Sequence, residues 1–351
     1  MDLNTLLKGV IEKKASDLHL IAGAPPMLRL STQLARVSAE VLTAEDTKQL
    51  IESILSSAQK ARFEKEKELD LSYTLGDISR FRVNVHMQRG TYAASFRVIP
   101  TRIPNLADLN IPKIVGDFAK LPRGLILVTG PTGSGKSTTQ AAMLDLINSY
   151  RHCHIITIED PIEYIHANKE SVIEQRELGI DTLSFAEALK RVLRQDPDVI
   201  LVGEMRDLET ITTAITAAET GHLVISTLHT NDSVQAVDRI VDAFPPHQQN
   251  QIRLQLSLSL QGIIAQQLIP RIAGGGMVPA IEILNVTPGV RNIVRKATTH
   301  EIYSQMEIGA KYGMRTMDAA LKELYQNKTI SYEAALSHAG NSEQLAQTII
   351  R

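Results

Sequence analysis

Apolar residues recur along this chain with two different periods, and the changes of period divide it. Leu3, Leu6, Leu7, Val10 and Ile11 fall at i, i+3, i+4, i+7 and i+8, one face of an amphipathic helix. The period then shortens to two: residues 16–21 alternate, Pro25-Pro26 interrupts, and residues 27–30 resume an extended run. Residues 43–63 read as one helix, with Thr43 as its cap and Leu50, Ile51, Ile54 and Leu55 keeping the apolar stripe. Alternation returns in residues 80–86 and 92–99, and Gln88-Arg89-Gly90 between them predicts a hairpin. Phe81, Val83 and Val85 then share one face of the first strand, and Arg80 and Arg82 the other. Residues 100–112 carry prolines at 100, 104 and 112 and no period, which predicts a linker after a small α+β domain over residues 1–99.

Beyond the linker the apolar segments are continuous. Residues 125–128, 154–158, 199–202 and 223–226 are β-branched runs with helical stretches between them. That spacing predicts βαβ units, hence a mainly parallel sheet covered on both faces, over a domain spanning residues 113–351. Ser184 with Glu187 predicts a capping box, and Asp196-Pro197 the end of that helix. Phe244-Pro245-Pro246 opens a long helix to residue 260. Residues 262–270 and 277–284 read as paired strands around Gly274-Gly275-Gly276, and Thr287-Pro288 caps and starts a further helix.

Composition narrows the function. A chain of 351 residues with 43% hydrophobic content can fill two cores. Its net charge of −2 gives no global attraction to nucleic acid or an anionic membrane. A single cysteine, Cys153, leaves no disulfide framework and no four-cysteine zinc site. No apolar run approaches the ~18 residues of a membrane span, and the N-terminus has neither the basic start nor the apolar core of a signal peptide. These features together lead to the expectation of a cytoplasmic protein.

The chemistry concentrates at the carboxyl ends of the apolar runs, as parallel sheets require. Gly130, Pro131, Thr132, Gly133, Ser134, Gly135, Lys136, Ser137 and Thr138 form a G-x-x-x-x-G-K-S loop between the first run and a helix. Its glycines let successive N–H groups converge on a phosphate, Lys136 can reach the β- and γ-phosphates of ATP, and the Ser137 hydroxyl can ligate Mg²⁺. Glu204, at the tip of the run 199–202, is the candidate that orients water against the γ-phosphate; Gly203 stands where many P-loop enzymes place a metal-binding aspartate. Glu159, Asp160 and Glu163 crowd another tip, and Glu163 is the candidate for Mg²⁺ contact through water. His222 and His229 flank the run between them and lie too far apart for one metal site. They are expected to sense the γ-phosphate or bond to the acidic loop. Arg80, Arg82 and Arg97 project from the N-terminal hairpin, where a planar guanidinium could neutralise transition-state charge. Val290, Ile293, Val294 and Ala297 share an inward face of the helix after Pro288. That leaves Arg291, Asn292 and Arg295 as a face expected to transmit motion.

These motifs together resemble the type IV pilus retraction ATPase (PilT) family within the secretion-ATPase superfamily. The resemblance runs through Ser16-Asp17-Leu18-His19-Leu20 with Pro25-Pro26, the phosphate loop, Ile158 to Glu163, and Gly203-Glu204-Met205-Arg206-Asp207. It continues through Thr220-Gly221-His222, Thr227-Leu228-His229-Thr230-Asn231 and Phe244-Pro245-Pro246. Arg291, Asn292 and Arg295 fit the family's late motif; Gly289 and Lys296 depart from it, and so does the stretch Arg29-Leu30-Ser31-Thr32-Gln33. The resemblance implies a PAS-like N-terminal domain, a RecA-like ATPase domain and a homohexameric ring. It also implies an inner-membrane pilus platform protein and a paralogous retraction ATPase as partners. A RecA-like DNA helicase or DNA-uptake translocase is the alternative. It would need basic, aromatic-bearing loops, against which the charge of −2, the lack of tryptophan and 4% aromatic residues weigh. A non-motor binding module, the third reading, would have no need of Glu204.

Overall fold

The structure, a computed structural model, describes residues 2–30, 33–38, 40–76, 78–100, 102–272, 274 and 276–349. Gly275 of the expected glycine turn, Ser31 and Thr32 of the divergent loop and Thr101 of the expected linker lie outside these residues. The chain divides into two compact units: residues 1–102 with Glu163–Ile165, and Ile103–Ile162 with His166–Arg351.

In the first unit, strands β1 (Asp17–Ile21), β2 (Met27–Leu30), β3 (Gln33–Arg36), β4 (Glu68–Leu75), β5 (Ser79–Gln88) and β6 (Thr91–Ile99) form an antiparallel sheet in the order β3-β2-β1-β6-β5-β4. Helices α1 (Leu3–Glu12), α2 (Ala44–Glu52) and α3 (Ser57–Glu66) complete it. Leu7, Leu18, Leu20, Phe63, Phe81 and Phe96 fill the core, and Phe63 meets Tyr92 edge to face at 5.0 Å between centroids. The single helix expected over residues 43–63 is two. Thr43 caps α2 in a reciprocal box with Asp46. Ser56 then leaves the helical region, at φ −66° and ψ 161°, and caps α3 in a second box with Gln59. Arg82 and Arg97 stand opposite each other across β5 and β6.

In the second unit, β7 (Gly124–Thr129), β8 (His154–Glu159), β9 (Val172–Glu177), β10 (Val199–Val202), β11 (Leu223–Leu228), β12 (Leu260–Pro270) and β13 (Met277–Asn285) form a sheet ordered β13-β12-β7-β11-β10-β8-β9. Every pairing is parallel except that of β13 with β12. The helices are α4 (Lys113–Ala119), α5 (Lys136–Asn148), α6 (Phe185–Val192), α7 (Leu208–Glu219), α8 (Ser233–Asp242), α9 (Pro246–Ser259), α10 (Pro288–Lys296), α11 (Ile302–Ile308), α12 (Met317–Gln326), α13 (Tyr332–Ser337) and α14 (Ser342–Ile349). Side chains of β7 alternate between the layers. Leu125 and Leu127 join the core under α6 to α10, while Ile126 and Val128 join the core under α4 and α5. A third cluster seats α12, α13 and α14 on Ile269, Val278 and Ala280 of the β12–β13 hairpin.

Three local expectations change. The chain passes from one unit to the other between Arg102 and Ile103. Leu106, Leu109 and Ile111 of the segment expected to be linker pack into the α4–α5 core. Ser184 caps α6 through the Glu187 N–H, while the Glu187 carboxylate turns to Lys190 and Arg191 and closes no box. Thr287 has the extended backbone of a cap but makes no capping side-chain bond.

Glu282 of β13 joins sheet to helices. Its Oε1 accepts from the Ser233 N–H (2.8 Å) and hydroxyl (2.7 Å), and its Oε2 from the Met317 N–H (3.2 Å). Ser233 and Met317 open α8 and α12, so one buried carboxylate meets two helix N-termini. Burial, the largest influence, still pushes this carboxyl above its ordinary 4.5. The folded protein therefore holds the Glu282 proton more tightly than the unfolded chain. The stability this supplies is complete below pH 4.5 and is lost as pH rises through the raised value. Glu282→Gln cannot titrate, so the melting temperature of the wild type relative to the variant should be higher near pH 5 than near pH 8. Scanning calorimetry at the two pH values checks this; the opposite slope would mean that the helix N-termini outweigh burial.

Candidate functional site: the carboxyl edge of the parallel sheet

Parallel pairing brings the ends of β7, β11, β10 and β8 to one edge. Crossing it, the chain offers the phosphate loop after Thr129, His229 after Leu228, Gly203-Glu204 after Val202, and Glu159. Strand spacing sets Glu204 about 10 Å from the phosphate loop, with the His229 strand between.

The loop has the backbone a phosphate cradle needs. Gly130, Gly133 and Gly135 take φ of 142°, 79° and 88°. Gly135 is the N-cap of α5 and provides no side-chain acceptor, so the first N–H groups of α5 stand ready for an anion. Lys136, buried, donates from Nζ to the carbonyls of Gly130 (2.8 Å) and Pro131 (3.0 Å), which hold it over the loop's mouth. Ser137 and Thr138 follow, half-buried. Sequence reading missed Gln266 of β12. Its amide bonds to Ser134 O at 2.6 Å and to Thr139 Oγ1 at 2.9 Å. The signal was present: Gln266-Gln267 interrupts the otherwise apolar residues 263–269. Next to the loop opens a cavity of about 280 Å³, lined among others by Asn110, Ile111, Thr138, Leu268, Arg271 and Met277.

Glu204 is largely buried at the tip of β10. Arg206 Nε lies 2.6 Å from Oε1, and His229 Nε2 faces Oε2 at 3.6 Å. Gly203 has a steric reason to be glycine. A Cβ there would stand 3.1 Å from Ile158 O and 3.3 Å from the Cα of Glu159. The close approach of β8 thus makes any side chain at this position a tight fit, where other P-loop proteins carry an aspartate. Glu159 accepts from Thr157 Oγ1 (2.7 Å) and Gln175 Nε2 (3.2 Å).

Other expected site residues fall elsewhere. His222 precedes β11, so it lies at the opposite end of that strand, about 20 Å from the phosphate-loop edge. There its Nδ1 sits 2.9 Å from Ala217 O, at the end of α7. The structure therefore removes His222 from the edge where His229 stands. Glu163 belongs with the first unit. In that unit Arg97 Nε binds the buried Asp17 at 2.8 Å, while Arg82 is exposed. Among the described residues no group of three or more His, Cys, Asp or Glu could hold a metal ion. Ser137 fits the way Mg²⁺ binds, with few protein ligands and the rest phosphate and water.

A glycine-rich cradle at a helix N-terminus, with a carboxylate two strands along the same parallel edge, is the working part of a P-loop nucleotide hydrolase. Within that class the chain belongs to the type II/IV secretion system protein family, whose model matches residues 1–345. It is 47% identical over 339 residues to the type IV pilus retraction ATPase PilT of Pseudomonas aeruginosa, covering 97% of this chain and 98% of that protein. A twitching motility protein of Neisseria gonorrhoeae is 46% identical, over 93% of this chain and 87% of its own. A crystal structure of the pilus retraction motor PilT with bound ADP superposes with a TM-score of 0.93 at 46% identity, over 99% of each chain.

The face expected to transmit motion divides in two. Val290, Ile293 and Val294 are buried as expected. Ala297 is exposed, because it ends α10 in the left-handed conformation at φ 59°. Arg291 is not a free surface charge. Its guanidinium donates to Ser257 O (2.7 Å), Leu258 O (2.8 Å) and Gln261 Oε1 (3.0 Å), closing the C-terminus of α9. Burial, and then the charge of Arg295, pull its pKa below the ordinary value. Arg291→Ala should cost about 1–3 kcal/mol and lower the melting temperature by several degrees. The exposed Arg295→Ala should stay within about 0.5 kcal/mol of wild type. Thermal melts of the two variants compare these directly, and equal melts would deny Arg291 its capping role.

Proposed function

We propose that this protein is an ATP-hydrolysing motor that powers type IV pilus retraction and twitching motility. It works as a homohexameric ring at the cytoplasmic face of the inner membrane, where it acts on the pilus platform protein and alongside a paralogous retraction ATPase. The observation that carries the reading is the shared carboxyl edge of phosphate loop, His229 and Glu204, in a chain so similar along its length to PilT. Among the described residues no helix is long and apolar enough to cross a membrane. That agrees with a motor that docks on a membrane protein.

ATP places its β- and γ-phosphates in the loop. Lys136 exchanges its two carbonyl partners for phosphate oxygens, and the N–H groups of residues 133–138 converge on the same anion. The Ser137 hydroxyl would hold Mg²⁺, and Glu163, together with Glu159 or Asp160, would contact the ion through water. The nucleoside end enters the cavity beside Thr138 and Leu268. Glu204, held by Arg206, orients the water in line with the γ-phosphate, and His229 on the intervening strand responds to the charge there. Arg82 and Arg97, from the same or the neighbouring chain, neutralise transition-state charge. The PAS-like unit, residues 1–99, moves about the short stretch before Ile103, where the RecA-like unit begins, and converts hydrolysis into displacement.

Steady-state ATPase assays test this. Lys136→Ala should abolish hydrolysis. Glu204→Gln should still bind ATP and turn over at least ~100-fold more slowly; near-normal turnover would move the water-orienting role to Glu163. Arg82→Ala should lower kcat more than ATP affinity. It is a cleaner probe than Arg97→Ala, which also strips Asp17 of its cation.

A further inference from the structure

Gln266 comes to the phosphate loop through strand register. Ala265 of β12 pairs with Thr129 of β7, so the next residue lies beside Gly130 as the loop begins. The backbones approach so closely that a Cβ on Gly130 would stand 2.2 Å from Gln266 O. The Gln266 side chain is 2% exposed and spends both ends of its amide on the far side of that contact. Nε2 donates to Ser134 O (2.6 Å) and Oε1 accepts from Thr139 Oγ1 (2.9 Å). A carbonyl oxygen can only accept, so the nitrogen must face Ser134, and the orientation of the amide follows from chemistry alone.

We propose that Gln266 is a positioning residue for ATP, one that acts by setting the direction of the phosphate-loop N–H groups. The proposal rests on the ATP-hydrolysis reading above and adds to it. The Ser134–Gly135 peptide is planar and trans, so its carbonyl and its N–H point opposite ways. Holding Ser134 O toward β12 turns the Gly135 N–H away from β12. Gly135 has no side chain to fix it, and at φ 88° it occupies a region glycine enters and leaves at little cost. An outside group must therefore hold that peptide. Thr139, the second anchor, lies one turn into α5, so a single amide clamps the junction between loop and helix. A loop fixed before nucleotide arrives binds without first losing backbone entropy, and its dipoles need no reorganisation during the reaction.

The test uses the full chain as wild type, Gln266→Met, Gln266→Asn and Thr139→Val. Melting temperature, ADP affinity by calorimetry, and kcat and KM for ATP are measured for each. Gln266→Met keeps the side-chain volume and removes both bonds. It should melt within a few degrees of wild type, bind ADP about tenfold more weakly, which is ~1.4 kcal/mol, and lose kcat to a similar degree. Gln266→Asn, one methylene short of its partners, should not restore either constant. Thr139→Val should lose about threefold in ADP affinity at an unchanged melting temperature, because the bond to Ser134 survives. Wild-type constants in Gln266→Met would overturn the proposal. So would a lowered melting temperature with unchanged constants, which marks a packing role. If Gln266→Met does not fold, Thr139→Val decides, and wild-type ADP affinity there would overturn it. A wild-type protein that binds ADP but does not hydrolyse ATP would sink the motor reading and leave the ADP comparison to judge Gln266.

Discussion

Pairing of β7 with β11 on one side and β12 on the other fixes where the glycine-rich loop and its neighbours along the carboxyl edge stand. A strand paired on both edges and buried on both faces cannot shift by one residue without turning its entire apolar set over. Leu125 and Leu127 are committed to one layer, Ile126 and Val128 to the other. The position of Thr129 is thereby set, and with it the start of the loop. His229 and Glu204 inherit their positions from the same register, one and two strands away. The geometry of the edge is a by-product of core packing.

Much of this was legible in the sequence. The parallel strands announced themselves as unbroken β-branched runs, and the phosphate loop by glycine spacing between a strand and a helix. Glu204 could be picked out because it ends such a run. What stayed hidden depends on residues far apart in sequence. No local pattern says that β12 lies against β7, so Gln266 could not be assigned to Ser134, 132 residues away. His222 groups with His229 through the shared motif, although it precedes the run and so stands at the amino end of β11, away from the edge where the chemistry gathers. Arg291 read as a surface charge because its partners, Ser257 and Leu258, are carbonyls at the end of another helix. Residues 43–63 kept a helical period across two helices, since Ser56 breaks the backbone without breaking the stripe.

Gly203 shows how packing constrains chemistry. The P-loop class commonly carries an aspartate there to hold the metal. Here the backbone of β8 stands 3.1–3.3 Å from where a Cβ would be, so a side chain would need its neighbours to give. Glycine itself brings no carboxylate to this position, and the acidic residues nearest to it on the paired strand stand at the β8 tip.

Helix α9 ends at Ser259 and β12 begins at Leu260, with no loop between to take up slack. The pairing with β7 then skips a residue: Leu260 opposes Leu125, and Gly262 opposes Ile126, with Gln261 bulged out to meet Arg291. Were Gln261 to pair in turn, each later residue would advance by one, and Ala265 would come beside Gly130 in place of Gln266. Counting along the chain thus matters here as much as chemistry does. One supernumerary residue, kept aside by an arginine on another helix, brings an amide to the mouth of the phosphate loop. An insertion or deletion in these seven residues would undo that alignment even if every side chain around it were preserved.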